Sequence, residues 1–206
     1  MIDGNVDNIH YIKKDRIYWK YNLKAICAFV NRDNINNLLI ENGISGDIGL
    51  LSIDIDGNDY WVWEAITCIS PRIIVCKYNH IFGPIANVTI PYDPNFIRAK
   101  AHFSNLYFGA AIAALDKLAK KKGYALVGSN SNSHNAFFVR NDIVGDLEIK
   151  RPEESYVLAQ FRESRDVNGS LTFLNFNERV EKISEMFVYD LDSERNVQIK
   201  ELPSLK

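Results

Sequence analysis

Residues 50–63 constrain the fold more than any other part of the chain. Their apolar start, Leu-Leu-Ser-Ile, is typical of a strand buried in a sheet. Asp54 and Asp56 follow two residues apart, so in an extended strand their side chains lie on one face, roughly 6–7 Å apart. Gly57 ends the strand. Because ligands bind at the carboxyl ends of strands in open α/β sheets, we expect the functional site here.

Composition limits the alternatives. The chain has 206 residues, of which 47% are hydrophobic, and this is enough for one domain with one core. A net charge of −2 predicts neither a nucleic-acid partner nor an anionic membrane partner. Cys27, Cys68 and Cys76 lack paired spacing, which favours reduced thiols and a cytoplasmic location. No apolar run approaches about 18 residues, so no membrane span is expected.

Strand and helix patterns alternate along the first half of the chain. This predicts parallel βαβ units and therefore an α/β fold. An amphipathic helix follows, and two further strands around a Ser/Asn-rich turn predict an antiparallel hairpin. The predicted strands are residues 1–3, 23–30, 50–55, 72–78, 124–128 and 136–140, and the clearest predicted helices are residues 34–40 and 107–122.

Two segments stand apart from this pattern. Residues 79–106 hold three of the six prolines and are too long for an ordinary connection, so we expect them to form a loop on the acceptor side of the site. Residues 147–206 are more charged and carry helical patches at 156–161 and 178–187. We interpret them as a C-terminal helical appendage to a core formed by residues 1–146.

Three blocks of sequence resemble the FkbM-like S-adenosylmethionine-dependent methyltransferases. The blocks are residues 51–63, residues 71–79, and residues 123–128 with 135–140. The resemblance covers roughly residues 2–142 and is closest to the branch found with surface-polysaccharide biosynthesis genes. It implies a Rossmann-like sheet, mostly parallel with a terminal antiparallel hairpin. It also implies S-adenosylmethionine as cofactor and O-methyl transfer to a sugar hydroxyl of a small-molecule or glycan acceptor.

The resemblance assigns roles to individual residues. His80 is also a candidate general base from its own chemistry, although a histidine that only stabilises the loop fits equally well. Lys77 departs from the family pattern, in which an acidic or neutral residue is expected. A divalent cation on Asp54, Asp56 or Asp59 is compatible with the pattern but is not needed. The candidate catalytic residues are Asp56, His80 and Asp54, the candidate cofactor-binding residues are Asp3, Phe29 and Asp54, and the candidate substrate-binding residues are Asn58, Asn79, Tyr92 and His102; the resemblance itself implies Asp3, Phe29, Asp54, Asp56, Asn79 and His80.

The beginning of the chain also departs from the resemblance. Asp3 falls at the end of the second family strand, so the first strand and its glycine-rich turn are not among these residues. We therefore expect an N-terminally incomplete methyltransferase that binds its cofactor weakly and is inactive as this truncated chain. An exposed sheet edge would also favour a homodimer.

Two other functions compete for the same residues. Asp54-Ile-Asp56 fits the Asp-x-Asp motif of metal-dependent glycosyltransferases, although no nucleotide-sugar strand pattern precedes it. A non-enzymatic remnant of the methyltransferase fold that binds a glycan or a protein is the third alternative. An EF-hand calcium loop fits worse, because counting from Asp54 its required glycine is not at the sixth position and Ala65 stands at the twelfth position, where the loop needs Glu.

Overall fold

The structure is a computed structural model, and it describes residues 1–160 and 163–205. Within these residues the chain is a mixed α/β protein. The helices are α1 (Val6–Lys14), α2 (Arg16–Lys20), α3 (Ile35–Glu41), α4 (Asp59–Ala65), α5 (Arg98–Ala101), α6 (Ile112–Lys122), α7 (Pro152–Ser155) and α8 (Phe176–Lys182). The strands are β1 (Ile2–Asp3), β2 (Ile26–Cys27), β3 (Gly46–Ile53), β4 (Ile69–Lys77), β5 (Val88–Thr89), β6 (Tyr124–Ser129), β7 (Asn135–Arg140), β8 (Ser164–Arg165), β9 (Leu171–Thr172), β10 (Phe187–Asp190) and β11 (Arg195–Gln198).

The central sheet has four strands in the order β3-β4-β7-β6. β3 runs parallel to β4, with Ile53 opposite Cys76. β7 is antiparallel to both β4 and β6. The predicted hairpin is thus confirmed as β6–β7, and the α/β class is confirmed with a mixed sheet that contains one parallel pairing.

A separate two-stranded sheet lies at the start of the chain. β1 and β2 pair in parallel, with Ile2 opposite Ile26. The strand predicted over residues 23–30 is therefore much shorter than expected, because only two of its residues meet a partner. Among the described residues, β1 and β3 each pair on one side only, so each leaves a free edge.

The core packs α4 and α6 against the central sheet. Trp63 of α4 is buried, with its ring centroid 4.9 Å from that of Phe138 on β7. α6 begins at Ile112, five residues later than predicted, because the backbone before it is extended and forms hydrogen bonds with the long 79–106 segment. Ile90 N donates to Gly109 O, and Ala111 N donates to Val88 O. None of the helices in the described residues has the length and apolar character needed to cross a bilayer.

The C-terminal region differs from the helical appendage we expected. β10 pairs with β5 and β11 in a third sheet, and Ile183, Val188 and Ile199 belong to the same buried core as the central sheet. The helical patch expected at residues 156–161 is not helical over 156–160, and residue 161 lies outside the described residues. Apolar side chains of this region pack into the core, so burial decides its structure rather than local helix propensity.

Arg179 of α8 ties this region to the core. Its side chain is buried, and it donates to the carbonyl oxygens of Leu174 (2.8 Å), Ala159 (2.9 Å) and Gln160 (2.8 Å). Bonds from a cationic donor to buried carbonyls are strong, and removing the donor leaves the acceptors without a partner.

We expect Arg179→Met to lower the free energy of unfolding by about 2–4 kcal/mol, because three carbonyls, one of them on the buried Ala159, lose a cationic donor. Urea unfolding followed by circular dichroism measures this change. Arg195→Met is the matched control, since Arg195 is exposed on β11, and it should change stability by less than about 0.5 kcal/mol. Equal losses in the two variants would show that Arg179 does not anchor the C-terminal region.

Candidate functional site

A cleft of about 630 Å³ lies where the carboxyl ends of β1 and β3 meet the segment that follows β2. A smaller side recess of about 400 Å³ adjoins it. The cleft residues that carry chemistry are Asp3, Phe29, Asp54, Asp56, Asn58 and Phe96. The side recess shares Phe29, Ile55, Asp56, Phe96 and Ile97 with the cleft and adds Arg98, Ala99, Asn105 and Glu163.

Asp59 shapes the turn between β3 and α4. Its buried carboxylate accepts hydrogen bonds from the backbone N–H of Ile55 (3.0 Å, Oδ1) and of Gly57 (2.9 Å, Oδ2). Between these two residues, Asp56 has a φ of 56°, a left-handed conformation that few non-glycine residues adopt. A Cβ on Gly57 would lie 2.3 Å from the Phe96 ring, so only glycine allows this approach.

The position of Asp59 changes its acidity. Burial raises its pKa to about 6, although the two backbone hydrogen bonds favour the ionised form and oppose this shift. From its place in the sequence, Asp59 is a candidate ligand of a divalent cation. In the structure it is the acceptor that holds the turn carrying Asp56.

Lys77 and Arg98 bind the carboxylates of this turn. Lys77 Nζ lies 2.8 Å from Asp54 Oδ1 and 2.8 Å from Asp56 Oδ1, and Arg98 Nη1 lies 2.8 Å from the same Asp56 oxygen. Burial alone would raise the pKa of Asp56, but the hydrogen bond and charge of Lys77, together with Arg98, outweigh it and hold the pKa below its usual value. Asp56 is therefore an ionised carboxylate at neutral pH.

Asn58 presents an unsatisfied acceptor at the cleft. Its side chain is buried, and its Nδ2 donates to the carbonyl oxygen of Asp93 at 2.7 Å, which assigns the amide orientation. Its Oδ1 has no hydrogen-bond partner among the described residues. A buried acceptor without a partner is costly, and this one belongs to a residue that lines the cleft, although the atom itself is closed to solvent.

Asp3 and Phe29 lie across the cleft from this turn. Asp3 accepts hydrogen bonds from Asn5 N (2.7 Å) and from Asn8 Nδ2 (3.0 Å), which orient its carboxylate at the end of β1. Phe29 follows β2 and is 47% exposed, so its ring offers an uncovered apolar face. The structure thus brings five of the predicted site residues to one cleft: Asp3, Phe29, Asp54, Asp56 and Asn58.

His80 and Asn79 do not line the cleft. His80 is buried, with its Nε2 3.2 Å from Arg179 Nη1 and its carbonyl oxygen bonded by Tyr156. Asn79 is buried as well, and its Nδ2 donates to the carbonyl oxygens of Leu106 (2.9 Å) and Phe108 (3.0 Å). The strand before them is buried over its last residues, so the chain enters the core rather than the cleft.

Tyr92 and His102 also lie outside both the cleft and the side recess. The Tyr92 hydroxyl donates to Asp33 Oδ2 at 2.9 Å, and Arg32 lies over its ring. The Nδ1 of His102 is 2.7 Å from Ser104 Oγ, and burial lowers its pKa. The long loop does reach the cleft, but through Phe96, and it contributes Arg98 to the side recess; sequence patterns gave neither residue a role in the site.

Lys77 and Arg98 are the functional residues that sequence reasoning missed. The one available signal was that Lys77 departs from the pattern of the resembled family. Within the described residues, no group of three or more His, Cys, Asp or Glu side chains is arranged to hold a metal ion. Comparisons of the chain with protein-family models, with curated proteins and with solved structures find no match.

Asp59 makes a pH-dependent contribution to stability. Its folded pKa is about 6 against 3.8 for an ordinary aspartate, so between these values the folded state binds more protons than the unfolded chain. The contribution of Asp59 to the free energy of unfolding is therefore fully present below about pH 4 and falls by about 3 kcal/mol as the pH rises through 6.

Urea unfolding of the wild type and of Asp59→Asn between about pH 4 and pH 7 isolates this effect, because asparagine does not titrate. We expect the stability of the wild type relative to the variant to fall as the pH rises. A relative stability that is constant or rises over this range would show that the folded pKa of Asp59 is not raised.

Proposed function

We propose that this protein is an S-adenosylmethionine-dependent O-methyltransferase-like protein that acts on a sugar hydroxyl in surface polysaccharide biosynthesis. One observation carries the proposal. The cleft brings together, at the ends of three strands, the oriented carboxylate of Asp3, the exposed ring of Phe29 and the unsatisfied buried acceptor of Asn58. Sites at the carboxyl ends of strands are typical of α/β proteins that bind nucleotide-like ligands.

The cleft residues fit the cofactor that the resemblance implies. Asp3 would accept hydrogen bonds from the ribose hydroxyls, and Phe29 would contact the adenine. Asn58 Oδ1 would accept a hydrogen bond from a donor group of the cofactor or the acceptor, which satisfies the orphan atom. When bound, S-adenosylmethionine supplies an electrophilic methyl group.

The strand arrangement supports a Rossmann-like methyltransferase architecture. The order β3-β4-β7-β6, with β7 antiparallel, agrees with the terminal hairpin that the resemblance implies. β1 and β2 form the parallel pair expected beyond a first family strand. A strand bonded to the free edges of β1 and β3 would unite the two sheets.

In this function Asp56 orients the acceptor. Its Oδ1 is occupied by Lys77 and Arg98, while its Oδ2 has no hydrogen-bond partner among the described residues and is available to an acceptor hydroxyl. Its lowered pKa makes it a weak proton acceptor, so its contribution is orientation rather than general-base catalysis. The side recess, which opens beside Asp56, is the proposed acceptor site.

The competing functions have less support. A metal-dependent glycosyltransferase needs a divalent ion between Asp54 and Asp56, and the ammonium of Lys77 lies between these two carboxylates. A non-enzymatic remnant would retain the cleft without productive cofactor binding, and ligand binding distinguishes it from an enzyme.

Thermal shift and isothermal titration calorimetry test the proposal. S-adenosylhomocysteine should raise the melting temperature, since a ligand at 100 times its Kd stabilises the folded state by about 2.7 kcal/mol. Phe29→Ala should weaken its binding at least about tenfold, which is the scale of one lost stacking contact. Phe103→Ala is the matched control, because this half-exposed ring lies outside the cleft.

Three other outcomes would count against the proposal. Stabilisation by a sugar nucleotide with Mn²⁺, and not by S-adenosylhomocysteine, would support the glycosyltransferase. No response to either ligand would support the binding remnant. Equal losses of affinity in Phe29→Ala and Phe103→Ala would place the cofactor outside the cleft.

The free edge of β3 supports the proposed homodimer. This strand leaves unpaired backbone groups, and Leu50 on it is 57% exposed, which is typical of an edge that pairs with another chain.

Sedimentation velocity should show a concentration-dependent dimer, and Leu50→Lys should weaken it at least about tenfold. Leu147→Lys, which places the same charge at an exposed leucine away from this edge, should leave the dimer unchanged. A dimer unaffected by Leu50→Lys would use another surface.

A further inference from the structure

A buried ammonium bridges the two carboxylates at the end of β3. Lys77 comes from the last position of β4, and its Nζ lies at 2.8 Å from one oxygen of Asp54 and of Asp56. The side chain of Lys77 is only 11% exposed, whereas those of Asp54 and Asp56 are about half exposed, at 49% and 47%. The cation is therefore the inner group and the carboxylates the outer groups.

The ammonium is held from a second side. The Phe108 ring lies beneath both cations, with its centroid 5.7 Å from Lys77 Nζ and 4.3 Å from Arg98 Cζ. Phe108 is fully buried, so the ring beneath the two cations is part of the core. A cation over an aromatic face is attracted by the ring, and a lysine held between a ring and two carboxylates has little freedom to leave.

The charges of this cluster balance without any added ion. Asp54 and Asp56 carry two negative charges, and Lys77 and Arg98 carry two positive charges. A divalent cation between these carboxylates would have to approach both fixed cations and would lose attraction to oxygens that already bind them. Mn²⁺, Mg²⁺ and Ca²⁺ also need several oxygen ligands, and the shared Asp56 Oδ1 is occupied twice.

We propose that Lys77 is the permanent cation of this site: its ammonium takes the place of a divalent metal between Asp54 and Asp56, fixes both carboxylates, and makes the cleft independent of metal ions. Lys77 is thus a positioning residue for the two carboxylates. This inference goes beyond the proposed function, because it holds for any reaction or ligand that the cleft serves.

A variant of Lys77 that lacks the positive charge should behave differently toward metal ions. Without Lys77, Arg98 alone offsets the negative charges of Asp54 and Asp56. The carboxylate of Asp59 adds a further negative charge nearby. Asp59 cannot be a ligand, because both its oxygens accept backbone hydrogen bonds, but the carboxylates of Asp54 and Asp56 suit a hard cation that keeps several of its waters. Removing the lysine should therefore create a metal site that the wild type lacks.

Manganese binding measured by electron paramagnetic resonance, from the loss of the free Mn²⁺ signal, tests this. We expect Lys77→Gln to bind Mn²⁺ at least about tenfold more tightly than the wild type. Lys77→Arg keeps the positive charge and should show no gain. The double variant Lys77→Gln with Asp54→Asn should lose the gain, because a carboxylate ligand is removed.

Two results would overturn the inference. One is a folded Lys77→Gln variant, checked by circular dichroism, that shows no gain in Mn²⁺ affinity. The other is measured on the wild type and does not depend on how the variant folds: one equivalent of Mn²⁺ bound to the unaltered protein and lost in Asp54→Asn. Neither result bears on S-adenosylhomocysteine binding, so failure here is distinguishable from failure of the methyltransferase proposal.

Discussion

The buried carboxylate of Asp59 is the constraint on which the arrangement of the cleft depends. A buried acid is stable only if hydrogen bonds replace its water, and the two N–H groups within reach belong to Ile55 and Gly57. For both N–H groups to donate to Asp59, the chain must turn back on itself. Asp56, which lies between Ile55 and Gly57, therefore adopts a left-handed conformation. The same turn admits Phe96 against Gly57, so one buried group determines the wall of the cleft that lies opposite Asp3 and Phe29.

The charge cluster follows from this turn and from the pairing of two strands. Because Ile53 lies opposite Cys76, the next residues in each strand are Asp54 and Lys77, and their side chains meet. Arg98 reaches Asp56 from the start of α5. Desolvation offsets much of the attraction in such buried pairs, so the cluster contributes orientation more than net stability.

Sequence patterns predicted the parts of this site that depend on local structure. We expected the site at the carboxyl ends of strands, and this was enough to place Asp3, Phe29 and Asp54 in one cleft, although their strands belong to two separate sheets. Lys77 could not be paired with Asp54 from sequence, because the match depends on strand register, which local patterns do not specify. His80 was misplaced for a related reason: only the tertiary packing of α8 covers it, through Arg179. The C-terminal region was likewise assigned from charge, although its few apolar residues decide where it packs.

The cleft favours catalysis by positioning in the function proposed here. Asp56 is kept ionised by two cations, and neither His80 nor His102 lies in the cleft or its side recess, so the residues that face an acceptor hydroxyl are not proton acceptors matched to neutral pH. What the chain does offer is the Oδ2 oxygen of Asp56, whose carboxylate is fixed because Lys77 and Arg98 hold its Oδ1 over a buried ring. A hydroxyl that is hydrogen-bonded to this oxygen has lost rotational freedom before the reaction begins. The rate of a reaction between two well-oriented groups increases by a large factor for this reason alone. Lys77 and Arg98 make Asp56 a poor base and also fix the position of its carboxylate, so its low basicity is a consequence of how firmly it is held.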